Sequence, residues 1–338
     1  MTAAFLEWMP SGERIVLVGF VLIVLAVYAA AGFFLLRRIW RVIRKRERRF
    51  RRRWLRWTER GCYILAVVGL CCIFYGWMIE PYWLEVTRVE VATAKLPAGG
   101  EAIRIIHISD LHCDAKERLE DDLPAAVAKL KPDIICFTGD AVNSPAGLAN
   151  FRRCMNRLAK IAPTYACWGN WEAYFPNIDY YGDTGVRVLH DQSETVTVRG
   201  QKINLAGIRY NRDVSAGLEE ALTDVDGEEP TVLLCHVPSV ILELEGTGVD
   251  LCLSGHTHGG QVAMPFYGAL LTLSPTGKRF EQGLYLHEGT YLYINRGIGM
   301  EGGKFPRVRF FARPEVTLIE LVGECLPDER LLSDGSGD

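Results

Sequence analysis

The tightest constraint on the fold is a set of polar clusters scattered along the chain, each closing a short apolar run: Asp110 with His112, Gly139 with Asp140, Gly169 with Asn170, His236 alone, and Gly255 with His256 and His258. Short apolar runs bounded by glycine and turn residues read as buried strands. Bringing distant clusters to one place requires strands whose carboxyl ends face a common site, which an open α/β sheet provides. The glycines beside three of the clusters let the backbone turn tightly at those strand ends.

Carboxylate, amide and imidazole are the donors that divalent cations prefer. Two such ions, about 3.5–4 Å apart, clamp the attacking and leaving oxygens of an in-line displacement at phosphorus and acidify a water. In an extended segment, residues i and i+2 point the same way roughly 6.5–7 Å apart. That spacing predicts that Asp110 converges with His112, and His256 with His258.

From about Ala102 to Leu321 the chain resembles the calcineurin-like metallophosphoesterases, on the ordered pattern D-x-H, G-D, G-N, H, G-H-x-H. Two longer stretches, Leu253 to Val262 and Tyr293 to Gly299 with Pro314 and Glu315 after it, are similar to a membrane-associated phosphodiesterase branch related to UDP-2,3-diacylglucosamine pyrophosphatases. The resemblance implies a four-layer α/β/β/α sandwich with two divalent ions as cofactors, each Mn, Fe, Zn or Mg. It implies Asp110, His112 and His258 on one ion, Asn170, His236 and His256 on the other, and Asp140 bridging, with Asp140 and Asn170 at the catalytic heart. One position departs from the family. Where the family carries G-N-H followed by an acid, this chain carries Gly169, Asn170, Trp171 and Glu172. The family histidine is implied to contact the substrate phosphate and protonate the leaving group. Indole donates one hydrogen bond and is no acid near neutral pH. Losing a general acid costs about 10²- to 10⁴-fold, so slower turnover or a leaving group that needs no proton is expected. A metal-binding pseudoenzyme is the competing reading.

Ahead of this region lie two apolar runs, Ile15 to Leu36 with 22 residues and Gly61 to Ile79 with 19. At 1.5 Å per residue they reach about 33 and 28 Å, enough to cross a bilayer as helices. An Arg-rich stretch and a second apolar run follow the first, which argues against a cleaved signal peptide. Residues 37–60 hold 13 Lys or Arg against two Glu. A short basic loop between two spans belongs in the cytoplasm, with Trp40, Trp54 and Trp57 suited to the interface and the charge on anionic headgroups. From Gly61 onward, 24 Lys or Arg face 37 Asp or Glu. That acidic balance argues against nucleic acid as a partner.

A cytoplasmic loop places both termini, and the catalytic region, on the exoplasmic side of the cell membrane. Cysteine usage pulls toward the cytoplasmic face, because Cys136, Cys235 and Cys252 lie in apolar runs where buried free thiols are expected. The expected organisation is a segment 1–14, spans 15–36 and 61–79 joined by the loop 37–60, a linker 80–101, one catalytic domain 102–322 and a polar tail 323–338. Within the domain, periodicity predicts strands over 103–109, 134–138 and 164–168, helices over 117–130 and 150–161, and further strands over 195–198, 203–206, 232–234, 251–253, 284–286 and 291–295.

Three secondary candidates were Asn143, as a residue orienting a ligand or water; Trp171, near the substrate; and Arg296, as a bidentate phosphate grip or a structural ion pair. Arg209 and Arg212 are weaker, and His107, His190 and His287 are expected to be structural. The whole reads as a membrane-anchored two-metal hydrolase of a phosphodiester or pyrophosphate in a lipid-linked substrate, with membrane lipids as partners. The alternative is hydrolysis of UDP-2,3-diacylglucosamine in lipid A biosynthesis at the cytoplasmic face.

Overall fold

The computed structural model describes residues 11–44, 53–210, 213–301 and 307–324. It begins with two long helices, α1 (Ser11–Ile43) and α2 (Arg53–Met78). Both are long and apolar enough to cross a membrane, and only 6% of the apolar window of each is buried. Leu22 and Leu70 are among many large apolar side chains turned outward. Helices that are apolar all round and unburied by protein suit hydrocarbon surroundings. Most of the Arg-rich loop, residues 45–52, lies outside the described residues.

Two six-stranded sheets make the body. The first runs in the order β1 (Glu85–Ala98), β14 (Glu315–Gly323), β2 (Ile103–Ile108), β3 (Ile134–Phe137), β4 (Thr164–Ala166), β5 (Arg187–Val188). The second runs β12 (Gly283–His287), β13 (Thr290–Ile294), β9 (Leu251–Ser254), β8 (Thr231–Cys235), β7 (Gln201–Ile208), β6 (Gln192–Val198). Strands β2, β3 and β4 are parallel neighbours, as are β7, β8 and β9. Continuous apolar sequence in these strands follows from burial on both faces. In β2, Ile103 and Ile105 enter the core between the sheets, while Ile106 and Ile108 enter the outer core with α3 (Leu123–Ala128) and α4 (Leu148–Ala159). The second sheet's outer core takes Leu218 and Ala221 from α5 (Val214–Leu222). The outcome is the expected four-layer α/β/β/α sandwich.

Two elements differ from expectation. The helix predicted over 117–130 is confined to α3, with turns before it. Pro124 lacks an N–H and would clash with the preceding turn, so it sits at the start of the helix. The segment 80–101, expected as a linker with an alternating strand-like stretch over Leu84 to Val91, carries that strand on to Ala98 as β1, which pairs parallel with β14 from Glu85 against Glu315 and buries Val91 and Leu96 between the sheets. Its half-polar alternation is that of an edge strand.

Both apolar helices enter this body at the ends of their apolar runs. Near the start of α1, the buried Glu13 carboxylate accepts Thr272 N at 3.2 Å and Thr272 Oγ1 at 3.0 Å. Near the end of α2, Gly76 O accepts Arg309 N at 2.8 Å, and the buried Glu80 carboxylate accepts Phe311 N at 3.0 Å and Ala312 N at 2.6 Å. The far ends of the two helices, at Ile43 and Arg53, therefore point away from these contacts.

Candidate metal centre

Five parallel strand ends deliver the ligand set. Asp110 and His112 follow β2, Asp140 follows β3 and Asn170 follows β4; His236 follows β8, and His256 and His258 follow β9. Because β2–β4 and β8–β9 run the same way within their sheets, their carboxyl ends meet at one edge of the sandwich. Hydrogen bonds stitch the loops: Asp110 N to Gly139 O at 2.9 Å, His112 N to Asp140 O at 3.0 Å, and Gly255 N to His236 O at 3.0 Å. Gly255 is required for closeness, since a Cβ there would overlap Ser109 Oγ and Asp110 Oδ2.

Convergence is not achieved by extended backbone. Asp110, His112, Asp140, His256 and His258 all have φ between 41° and 70°. Non-glycine residues seldom occupy this left-handed region, and where several do so together the cost is held at a functional site. Left-handed turns also send the two histidines of the second pair apart. His258 joins Asp110 and His112, whereas His256 turns to Asn170.

Two groups result. Asp110, His112 and His258 bring ligand atoms within 4.8 Å of one another, and so do Asp110, Asp140 and His236. Asp140 Oδ2 lies 3.5 Å from His112 Nε2 and 3.2 Å from His236 Nε2, so it stands between the groups. The rings of His236 and His256 are 5.2 Å apart.

The chemistry of these contacts fits cations. His256 Nε2 donates to Leu273 O at 3.1 Å, which leaves the Nδ1 lone pair facing Asn170 Oδ1 at 3.0 Å. His236 Nδ1 donates to Thr138 O at 2.7 Å, leaving Nε2 against the Asp140 carboxylate. His112 Nε2 and His258 Nε2 are 3.2 Å apart. Arg309 Nη2 donates to His258 Nδ1 at 3.4 Å, so in the neutral ring Nε2 carries the proton toward His112, whereas the His256 Nδ1 and Asn170 Oδ1 acceptors repel unless a positive charge lies between them. A separation of 3.2 Å is the distance between two nitrogens that each lie about 2.0–2.1 Å from one ion.

Electrostatics point the same way. Burial opposes charge on His236, but Asp140 and then Asp110 outweigh it and lift the ring to about 10, a proton answering the demand for a cation. Burial also opposes charge on Asp140, and His236 with His112 outweighs it, holding the carboxyl at about 2. Asp110 is raised to about 6, by burial first and despite His236. Burial pushes His112 and His256 down to about 4 and His258 well below the usual range, so these rings are neutral and ready to ligate.

Around the ligands, Asn143 Nδ2 donates to His112 O at 2.8 Å and to Met300 O at 3.2 Å. It holds the backbone of a ligand, an orienting position. Arg296 is engaged elsewhere: Nε donates to Glu315 at 3.2 Å and Nη2 to Glu85 at 2.8 Å. That is the ion pair of the structural reading, joining the first sheet to the loop after β13. Arg209 pairs with Asp191 at 2.5 Å, and Arg212 lies outside the described residues. His107 is fully buried with Nε2 2.9 Å from Thr138 Oγ1, His190 packs on Trp168, and His287 packs on Phe280. Cys136, Cys235 and Cys252 are buried free thiols.

Trp171 stands beside the ligands. Its N–H donates to Asp140 Oδ1 at 2.8 Å, and its ring meets His112 edge-on at 5.2 Å. The indole N–H is buried short of a full hydrogen bond, and the acid group it interacts with is Glu301. Burial, then Asp140 and Asp110, raise Glu301 to about 7. The sequence offered no role for Glu301 or for Glu172. The fully buried Glu172 carboxylate accepts Asp140 N at 3.1 Å, Ala141 N at 2.8 Å and Gly169 N at 2.8 Å, tying the β3 loop to the β4 loop. An acid two positions past Asn170 was the visible signal, but its three partners are tertiary.

Strand-end carboxylates and imidazoles from two facing sheets define a two-metal hydrolase. Comparison with known proteins agrees. The calcineurin-like phosphoesterase family matches residues 103–260. The metallophosphoesterase YkuE of Bacillus subtilis is 30% identical over 259 residues, covering 73% of this chain and 88% of that protein. Phosphodiesterase YaeI of Escherichia coli is 31% identical over 261 residues, covering 73% of this chain and 93% of its own length. UDP-2,3-diacylglucosamine pyrophosphatase LpxG of Chlamydia trachomatis is 26% identical over 311 residues, 73% of this chain and 92% of that protein. The chain belongs to the calcineurin-like phosphoesterases, hydrolases built around a dinuclear metal site.

Proposed function

We propose that this chain is a membrane-anchored phosphohydrolase that cleaves a phosphodiester or pyrophosphate bond in a lipid-linked substrate. The observation that carries the reading is the convergence of buried imidazole nitrogens with carboxylate and amide oxygens at a single strand-end edge. Asp110, His112 and His258 would hold one divalent ion and Asn170, His236 and His256 the other, with Asp140 shared between them. When bound, the ions supply Lewis acidity to the phosphoryl group and acidify water.

The protein's own residues then account for the rest. Thr138 O fixes the His236 tautomer and Leu273 O that of His256, so each ring presents its lone pair inward. Asn143 and Glu172 hold the loops that carry His112, Asp140 and Asn170. Trp171 holds the Asp140 carboxylate through its backbone N–H, but its indole brings no acid to the leaving group. The centre is therefore suited to leaving groups of low pKa, such as a nucleotide or another phosphate.

Membrane anchoring is supported by α1 and α2, and the basic loop supports placing the domain on the exoplasmic side. There it would meet lipid diphosphates or envelope phosphodiesters. Similarity to LpxG favours a second reading, a UDP-linked glycolipid met at the cytoplasmic face. Reporter fusions after Asp338 decide between the two. Periplasmic-type reporter activity supports the first reading, and cytoplasmic-type activity puts the second in its place. Manganese-loaded full-length protein should hydrolyse bis-p-nitrophenyl phosphate, and a preparation with bound metal but no turnover on it, before or after Trp171→His, would mark a pseudoenzyme.

A further inference from the structure

The hairpin that follows the last metal-site histidine carries apolar residues where turn residues belong. Strands β10 (Ala263–Met264) and β11 (Gly268–Ala269) are joined by a tip whose Phe266 is fully exposed at φ 65°. Tight turns favour Gly, Asn or Asp in left-handed backbone, and a bulky residue there is strained. Nothing in the turn's own geometry calls for a phenyl ring. Met264 and Tyr267 flank it and are exposed as well.

This apolar tip continues the surface from which the long helices leave the body. Ala263 N donates to Phe310 O at 2.8 Å, the Phe310 ring meets Tyr75 of α2 edge-on at 6.0 Å, and Phe311 next to it is 55% exposed. On the other side, the exposed Leu273 adjoins Thr272, which binds Glu13 at the start of α1. Both apolar runs end within a few residues of these contacts, so the rim lies level with the ends of the two apolar helices. Cations accompany it, with Lys278 Nζ 4.1 Å over the Tyr267 ring and Arg313 4.2 Å over the Trp83 ring. Aromatic rings with basic groups alongside suit a headgroup layer.

The rim also borders the metal centre. Leu273 O is the carbonyl that fixes His256, and His256, Asn170 and Trp171 are the half-buried, solvent-facing members of the site.

Resting on the membrane-anchored reading above, we propose that Met264, Phe266, Tyr267, Leu273 and Phe311 dip into the leaflet from which α1 and α2 emerge, and that this docking presents the metal centre to phosphates of lipids still seated in the bilayer. The occupant of the apolar rim is the lipid surface itself. A substrate need not leave the membrane to reach the ligands.

Photo-crosslinking of the full-length chain in phosphatidylcholine vesicles containing phosphatidylglycerol tests this. Benzoyl-phenylalanine is placed singly at Phe266, at Leu22 in α1, and at Leu286, an exposed leucine on edge strand β12. Lipid adducts at Leu22 report the anchor, and those at Phe266 report the docking. The account expects adducts at Leu22 and, at Phe266, a yield roughly tenfold or more above that at Leu286, the preference burial of one phenyl group supplies. Adducts at Leu22 with Phe266 no higher than Leu286 overturn the docking and leave the anchor standing. No adducts at Leu22 remove the anchor and the docking together. Crosslinks from Phe266 to protein rather than lipid also overturn it, because the rim then serves a protein interface.

Discussion

Trp171 stands where the family resemblance implies a histidine. Its backbone N–H still serves Asp140, so the substitution spares the scaffold and removes only the imidazole. Trp171→His should raise kcat for diesters with alkyl leaving groups, by as much as about 10²- to 10⁴-fold if the ring regains the acid's position. Bis-p-nitrophenyl phosphate should change little, since p-nitrophenolate departs without a proton. The check is a plot of rate against leaving-group pKa, steep for the wild type and shallow for the variant; parallel plots would contradict the account. Glu172 makes a structural prediction. Glu172→Ala strands three buried N–H groups, at about 1–3 kcal/mol each, so a loss of at least 3 kcal/mol is expected in denaturant unfolding in detergent. Glu172→Gln, which keeps one acceptor, should lose less. His107 governs part of the acid stability. Burial holds its ring at about 3, below its ordinary 6.5, so the folded state keeps it neutral while the unfolded chain protonates. Its contribution is complete above pH 6.5 and is lost as pH falls toward 3, by about 2 kcal/mol at pH 5. Comparing Tm at pH 7 and pH 5 should show a smaller drop for His107→Gln than for the wild type.

At the scale of elements, the positions that converge at the candidate site were legible because each closes a short apolar run, and that local signal maps onto the end of a buried parallel strand. Asp140 after Ile134 to Phe137 and His236 after Thr231 to Cys235 are examples. The alternation over Leu84 to Val91 is strand-like in the sequence, but the pairing of β1 with β14 was not legible, because that partner lies more than two hundred residues away. The helix over 117–130 was read too long because charge and alanine content masked the consequence of Pro124. The left-handed turns at Asp110 and His256 leave no mark in composition, so the parting of His256 from His258 follows the assignment that the family resemblance implies and not the i, i+2 spacing. The junction of α2 with the body is the element whose loss should be felt furthest. Glu80→Ala leaves the Phe311 and Ala312 N–H groups without their carboxylate, a cost of about 2 kcal/mol or more. The same strap carries the fully buried Arg309, which donates to Gly297 O at 3.1 Å and to Ala312 O at 2.8 Å, so loosening it should lower Tm in detergent and weaken metal retention together.

For the molecule as a whole, two apolar helices, a basic connecting sequence and an acidic body form one polarised chain. The metal centre lies at the strand-end edge, and its ligands His256 and His258 are followed directly by the hairpin that meets the α2 junction. The central claim is that this edge holds two ions and that Asp140 is shared between them. Metal content and turnover of the purified full-length protein, measured together for wild type and Asp140→Asn, test it most directly. The account predicts about two ions per chain and hydrolysis of bis-p-nitrophenyl phosphate in the wild type, and no more than about one ion with turnover abolished in the variant. An Asp140→Asn protein that keeps both ions and its turnover would contradict it.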